Sequence, residues 1–285
     1  ETIRSQGGES GWTVSWKGRG WWGTLEEYLD LVREARGLAQ GTGTLIVPSV
    51  KYHLPQPGET KWLESEYEFT TRQLLRAWGG GTQAGAMPIE KDFSPTLAGS
   101  GRSRVRETVV EWLRRVPGLV RGAVAAGDVT VGLKIFNALF DDEFQLELLQ
   151  SVQQATGADA ADWLVYGNRL FDPEREFDGL HGIAYGGPDL SDRNLRVLSE
   201  FHDRYGTAMR PLAGTGDISS GRMALEYALR GASSFQLHTM FQLPSRQYAL
   251  RSGSRTQKAL HELYLHPHDG LVVWLSHLAR RWSLP

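Results

Sequence analysis

A repeated alternation of short apolar segments and amphipathic helical segments constrains the fold more than any other feature of the 285 residues. The clearest strand is Val129–Phe136 (VTVGLKIF), because it is apolar and rich in β-branched residues. Strand–helix alternation at this spacing predicts a parallel sheet with helical crossovers. No Pro- or Ser-rich linker interrupts the pattern, so we expect one domain over residues 1–285.

The first predicted helix begins at Thr24, where Thr24 and Glu27 have the spacing of a capping box, and ends near Gly41. A long glycine-containing loop is expected from residue 167 to residue 190. Further helices are predicted over about 66–78, 104–126, 142–154, 191–205 and 221–230, and strands over about 12–16, 44–49, 87–93, 129–136, 162–166, 209–213 and 234–237.

Two architectures fit this alternation, an open doubly wound sheet and a closed barrel. An open sheet that binds a dinucleotide would carry GxGxxG directly after its first strand, and no such segment stands there. Glycine-rich turns late in the chain favour a (β/α)8 TIM barrel, whose phosphate site lies after its last strands. The pattern supplies six strand–helix units, or seven with Trp12–Trp16, so we expect a barrel that lacks or remodels its first strand–helix units.

Composition excludes several classes of function. The chain has no Cys, which excludes disulfides, Cys-ligated metal clusters and a thiol nucleophile. A formal net charge of −2 disfavours nucleic acid as a partner. The apolar runs fall far short of the roughly 20 residues that a membrane span needs, and the N-terminus has no apolar signal region, so we expect a cytoplasmic protein without a membrane partner.

The segment Leu212–Gly221 (LAGTGDISSG) has the strongest chemical pattern, a strand followed by a glycine turn and a helix start. Free backbone N–H groups in such a turn can hold an anion, and Gly186-Gly187 could supply a second turn. The alternative is that these glycines only permit tight loops. Lys134 is a further candidate, because an unpaired ammonium inside an apolar strand is costly.

The run GTGDISSG…ALEYALRGASSFQLHT, residues 214–239, resembles the C-terminal signature of dihydroorotate dehydrogenases and related FMN-dependent barrels. Asn168 in VYGNRLFDP resembles the Asn that ends the family's sixth strand, and Lys134 in VGLKIFN resembles its flavin-contacting Lys. Ala86–Ser94 is more loosely similar, with Asp92 at the family's Asn and Ser94 at its Ser. The resemblance covers roughly residues 16–244, with a phosphate-binding half at about 129–244 and a C-terminal helical segment at 245–285.

The resemblance implies FMN as cofactor and hydride transfer between flavin N5 and a carbon–carbon single or double bond of a small molecule. It implies that Lys134 lies beside the polar edge of the flavin, and that Asn168 bonds flavin or substrate. The implied catalytic residues are Lys134, Asp92 and Ser94. The implied phosphate contacts are Gly186, Gly187, Gly214, Gly216, His238 and Thr239.

Three departures from the family pattern bear on the substrate. Asp217 replaces a glycine in the phosphate turn, where a carboxylate repels phosphate unless it points away or meets a cation. The family's catalytic base position falls on Pro95, or on Ser94 if the loop is one residue shorter, and dihydroorotate is therefore not the expected substrate. The first strand–helix units are absent as well. The candidate substrate-binding residues are Lys51 and His53, which follow the predicted strand TLIVPS, and Asn137; a solvated loop is the alternative for the first two.

Two other functions remain open. The chain could be a catalytically lapsed, flavin-free barrel that acts as a binding or partner subunit, or a dihydrouridine synthase-like flavoenzyme, which the near-neutral charge disfavours. The expected partner is a small-molecule substrate. A homo-oligomer or a partner chain that completes the barrel also remains open.

Overall fold

The structure is a computed structural model that describes residues 2–5, 12–15, 23–55, 59, 61–79, 85–93, 102–137, 141–177, 179–186 and 189–283. The predicted candidates Ser94 and Gly187 lie outside these residues. The helices are α1 (Leu25–Ala39), α2 (Glu64–Trp78), α3 (Arg102–Gly122), α4 (Asp142–Gln153), α5 (Asp189–Tyr205), α6 (Gly221–Ala228), α7 (Arg255–Leu265) and α8 (Leu271–Trp282). The strands are β1 (Thr2–Ser5), β2 (Trp12–Ser15), β3 (Ser49–Val50), β4 (Met87–Asp92), β5 (Val129–Asn137), β6 (Trp163–Phe177), β7 (Leu180–Gly186), β8 (Leu212–Gly214) and β9 (Ser234–Phe235).

Internal contacts divide the chain into two compact units. Unit A comprises Gly18–Ile135 and Glu147–Leu164, and unit B comprises Glu1–Lys17, Phe136–Leu146 and Val165–Pro285. The expectation of a single domain over residues 1–285 stays a prediction.

Unit A is built on the parallel strands β3, β4 and β5. Ile89, Val131 and Leu133 are fully buried in it. Position 132 requires glycine for a steric reason, since a Cβ there would lie 2.0 Å from the Trp163 ring. The capping box of α1 is confirmed, with Glu27 N–H donating to Thr24 Oγ1 at 3.2 Å and Thr24 N–H donating to Glu27 Oε2 at 2.6 Å.

The predicted strand at residues 44–49 is wrong in extent. Strand β3 comprises only Ser49 and Val50, and Leu45 is 70% exposed although its apolar character suggested burial. Pro48 has no N–H to donate, and its carbonyl accepts a bond from Glu90 N–H at 2.9 Å. The apolar run suggested a longer ladder of strand hydrogen bonds than this carbonyl contact and the two-residue pairing of β3 with β4.

Unit B contains an antiparallel region where the sequence predicted a loop. β6 continues past Asn168 to Phe177 and returns as β7, with Leu170 opposite Tyr185 and Phe177 opposite Leu180. β1 and β2 form a second hairpin, and β2 pairs antiparallel with β7 through Val14 and Gly186. Asn168 therefore lies inside a long strand instead of ending a short one. The extension pairs with the neighbouring strand β7, which in turn pairs with the distant β2, and periodicity within one segment does not register such pairing.

The α/β class is confirmed, with six strands of the parallel type, β3, β4, β5, β6, β8 and β9. Six parallel strands are consistent with part of a (β/α)8 barrel, which has eight. Within the part of the chain that is described, no helix is long and apolar enough to cross a membrane.

Candidate functional site

The predicted residues of unit A gather at the carboxyl ends of its parallel strands. Asp92 ends β4 directly opposite Lys134 of β5, and Lys51 follows β3. Lys51 Nζ lies 3.9 Å from Asp92 Oδ2. The structure thus brings three predicted residues to one edge of the sheet, which is where parallel sheets place their chemistry.

Lys134 has a carboxylate partner that sequence reasoning missed. Its Nζ lies 3.7 Å from Oε1 of Glu90, which also accepts a bond from Ser49 Oγ at 3.1 Å. Glu90 is 3% exposed. The signal was present in the sequence, since a carboxylate within the predicted strand at 87–93 has to be paired when it is buried.

Lys91 is a second missed residue of this edge. It is 1% exposed, its Nζ donates to the Asp92 carbonyl at 2.9 Å, and it lies 4.7 Å from the centre of the Phe93 ring. Burial lowers the pKa of Lys91 to about 7, and the neighbouring Asp92 carboxylate only partly offsets that effect. A neutral Lys91 leaves Lys51 and Lys134 to balance Asp92 and Glu90.

His53 is held apart from these ion pairs by its own contacts. Its backbone N–H donates to Glu66 Oε1 at 2.9 Å. Its backbone carbonyl accepts a bond from Tyr67 Oη at 2.6 Å. Its Nε2 lies 2.9 Å from Glu59 Oε2. The predicted role of His53 in substrate binding stays a prediction.

Unit B contains a buried polar network around Asn137 and Asn194. Asn137 is 1% exposed, and its Nδ2 donates to the Asn168 carbonyl and to Asn194 Oδ1, both at 2.9 Å. Among the described residues no donor reaches Asn137 Oδ1, which is shielded from solvent. Two predicted residues, Asn137 and Asn168, are therefore bonded directly, and Asn194, which sequence reasoning missed, bonds Asn137 as well.

Asn194 of α5 ties this network to the predicted phosphate turn. Its Nδ2 lies 3.1 Å from the Gly167 carbonyl, 3.0 Å from the Thr215 carbonyl and 2.9 Å from Tyr227 Oη. Tyr227 Oη donates in turn to the Gly216 carbonyl at 2.8 Å. Asn194 could have been found from the sequence, because a polar residue interrupts the apolar stripe of α5 at that position.

The glycines of the predicted phosphate turn are required by the protein's own packing. Gly216 has φ +98°, and a Cβ there would lie 2.4 Å from the Gly167 carbonyl and 2.5 Å from Asn194 Nδ2. A Cβ on Gly214 would lie 2.7 Å from the Tyr227 ring. The tight-loop interpretation of these glycines therefore has direct structural support.

Two backbone N–H groups at the start of α6, where the sequence suggested free donors, bond within the protein. Arg222 N–H donates to the Asp269 carbonyl at 2.9 Å, and Met223 N–H donates to Ser220 Oγ at 3.1 Å. The residues between α7 and α8 thus cover this helix start. Asp217, expected to repel a phosphate, accepts a bond from Ser191 Oγ at 3.2 Å.

The remaining predicted cofactor contacts lie at two other chain reversals of unit B. Gly186 ends β7, paired across the ladder with Val14. His238 and Thr239 follow β9, where Thr239 begins a 3₁₀ turn. Their predicted contacts to a phosphate stay predictions.

Comparison with known proteins shows a likeness of fold. The chain is similar to a crystal structure of a ligand-free type DHODH from Eimeria tenella, with a TM-score of 0.55 and 12% sequence identity over 91% of this chain and 67% of that one. No protein-family model matches the chain. No curated protein sequence matches it either.

Proposed function

We propose that the chain is an FMN-dependent oxidoreductase that acts on a carbon–carbon single or double bond of a small molecule other than dihydroorotate, in a TIM-barrel fold with remodelled first units. Bound FMN would supply hydride exchange at N5. The DHODH-like fold supports an oxidoreductase of the flavin type. The missing base at Pro95 is the reason to set dihydroorotate aside.

The side-chain oxygen of Asn137 is the observation that carries the proposal. Asn194 directs its Nδ2 at two carbonyls, so its Oδ1 must face Asn137. Asn137 must then turn its own Nδ2 to Asn194 and its Oδ1 away. A buried acceptor left without a donor costs about 1–3 kcal/mol, and the imide N–H of a flavin's pyrimidine ring is a donor that fits it.

Other residues of the chain take the roles that the resemblance implies. Lys134 would place its ammonium toward the polar edge of the flavin. Asn168 would bond the flavin or the substrate. Backbone N–H groups of Gly186, Gly187, Gly214, Gly216, His238 and Thr239 would hold the phosphate.

Proton transfer to or from the substrate would fall to Asp92 or Ser94. Asp92 stands at the carboxyl edge of unit A and is paired with Lys51 at 3.9 Å. A carboxylate at this edge can take up a proton from a substrate carbon beside the one that exchanges hydride. Lys51 and His53 would contact the substrate.

A flavin-free binding or partner subunit is the second candidate, and a specific observation favours it. Asn194 and Gly167 fill the space beside Gly216, and the Asp269 carbonyl accepts the Arg222 N–H at the start of α6. A turn packed in this way by the protein itself leaves fewer N–H groups for a phosphate.

The colour of the protein separates the two candidates. An FMN enzyme should be purified yellow, or become yellow on addition of FMN, and should release FMN on denaturation. A colourless protein that takes up no FMN would overturn the proposal in favour of the flavin-free subunit.

The role of Asn137 is tested by a comparison of FMN with 3-methyl-FMN, which lacks the imide N–H. The wild-type protein should bind FMN about threefold to tenfold more tightly, the worth of one hydrogen bond. Asn137→Ala should abolish that difference, and Gln154→Ala, an exposed amide, should preserve it. Equal binding of both flavins by the wild type would remove the assigned role.

A further inference from the structure

Helix α8 presents an apolar stripe to solvent. Val272, Leu275 and Trp282 are 47%, 48% and 55% exposed, and Ala279 completes the spacing of three and four residues that defines one helix face. The adjoining, half-buried seam of α8 consists of Leu271, Trp274 and Leu278. The helix therefore has apolar residues on both its packed side and an adjoining open side.

The stripe lies in a basic part of the chain. Residues 245–285 contain six Lys or Arg and two Asp or Glu, an excess of four positive charges in a chain whose formal net charge is −2. Helix α8 itself contains no acidic residue and ends on Arg280, Arg281 and Trp282. An apolar face bordered by cations and Trp is the pattern of a helix that lies in the interface of an anionic membrane.

The size of the stripe argues against a second copy of the chain as its occupant. A helix of 12 residues is about 18 Å long, and one row of side chains about 10 Å wide gives an area on the order of 200 Å². A stable protein interface needs about 800 Å² from each partner. A lipid surface needs no complementary shape.

We propose that α8 docks the protein on an anionic lipid surface, with Val272, Leu275 and Trp282 inserted at the headgroup boundary and Arg280 and Arg281 on lipid phosphates. This differs from the expectation of no membrane partner, which rested on the length of apolar runs. An interfacial helix needs one apolar face and not a run that spans the bilayer.

Co-sedimentation of the full chain with vesicles tests the proposal. Vesicles of phosphatidylcholine with one part in three phosphatidylglycerol should bind the wild-type protein at least tenfold more tightly than vesicles of phosphatidylcholine alone. Raised salt should reduce that difference, because it screens the charges. Failure of the wild-type protein to bind the anionic vesicles would overturn the proposal.

Two variants separate the stripe from a general effect of charge. Leu275→Glu should weaken binding tenfold or more, whereas Leu38→Glu, at a 75% exposed leucine of α1 with the same change in charge, should bind like the wild type. Val272→Glu is the second stripe variant if Leu275→Glu unfolds at a lower temperature than the wild-type protein. Equal loss in Leu38→Glu would contradict a role for α8. A dimer that Leu275→Glu dissociates, without vesicle binding, would assign the stripe to a second copy instead.

Discussion

Asn137 Nδ2 donates to Asn194 Oδ1 at 2.9 Å, and this one bond joins strand β5 to helix α5 and sets the direction of both amides. Asn194 is fully buried, and its own nitrogen faces the carbonyls of Gly167 and Thr215. The network therefore decides which atom of Asn137 is left to receive a ligand.

Asn194→Leu should lower the free energy of unfolding by about 2–4 kcal/mol. The change removes one hydrogen bond from each of two buried carbonyls, from Asn137 Nδ2 and from Tyr227 Oη, and each buried group left unsatisfied costs about 1–3 kcal/mol, not fully additively. Urea unfolding measures the loss. Glu200→Leu, at an exposed position of the same helix, should stay within about 0.5 kcal/mol of wild type. A similar value for both variants would contradict the role of Asn194.

Gly216→Ala should destabilise far more than Gly127→Ala. Both glycines have a positive φ, +98° and +88°, so both substitutions strain the backbone by about 1–2 kcal/mol. Only at Gly216 would the Cβ also lie 2.4 Å from a carbonyl oxygen, whereas nothing lies within 4 Å at Gly127. Thermal unfolding of the pair isolates the cost of the close approach. Equal costs would mean that the turn opens freely.

Lys91→Met should stabilise the protein below neutral pH and lose that advantage as the pH rises. Burial lowers the folded pKa of Lys91 from 10.5 to about 7, so between these values the unfolded chain binds more protons and wild-type stability increases with pH. The change over this window is on the order of 4–5 kcal/mol. Denaturant unfolding at pH 6, 8 and 10 measures it, with Lys61→Met, at an exposed lysine, as the control. A difference between Lys91→Met and wild type that does not vary with pH would contradict the assignment.

Lys134→Ala should make the reduction potential of the FMN-loaded protein more negative by about 30 mV or more, which corresponds to about 1.4 kcal/mol for two electrons. The variant removes a cation and leaves the buried Glu90 carboxylate behind, and both changes oppose the negative charge that FMN gains on reduction. Dye-coupled titration measures the potential, and Lys61→Ala is the control. An unchanged potential would place Lys134 away from the flavin.

Elements whose signals are local were predictable. The capping box at Thr24 and Glu27 defines the start of α1, because both bonds form within one turn. The apolar, β-branched run at Val129 likewise predicted β5, which extends one residue further than expected. The β6–β7 hairpin escaped prediction because its strands are held by each other and by β2.

The candidate site shows the same division. Lys51 was identified from its place after a predicted strand, Lys134 as an ammonium within an apolar strand, and Asp92 from the family resemblance. Glu90 and Lys91 were missed, although a charged residue within a predicted buried strand is itself a signal, because their burial, at 3% and 1% exposure, is seen only in the structure.

The sequence by itself determined that this chain alternates strands and helices, that no cysteine chemistry is open to it, and that glycines recur at residues 214 and 216. Only the tertiary structure decided what those glycines are for. The sequence shows only that a glycine lacks a Cβ. The groups that occupy the space of that Cβ come from segments distant along the chain, here the Tyr227 ring, the Gly167 carbonyl and the Asn194 amide.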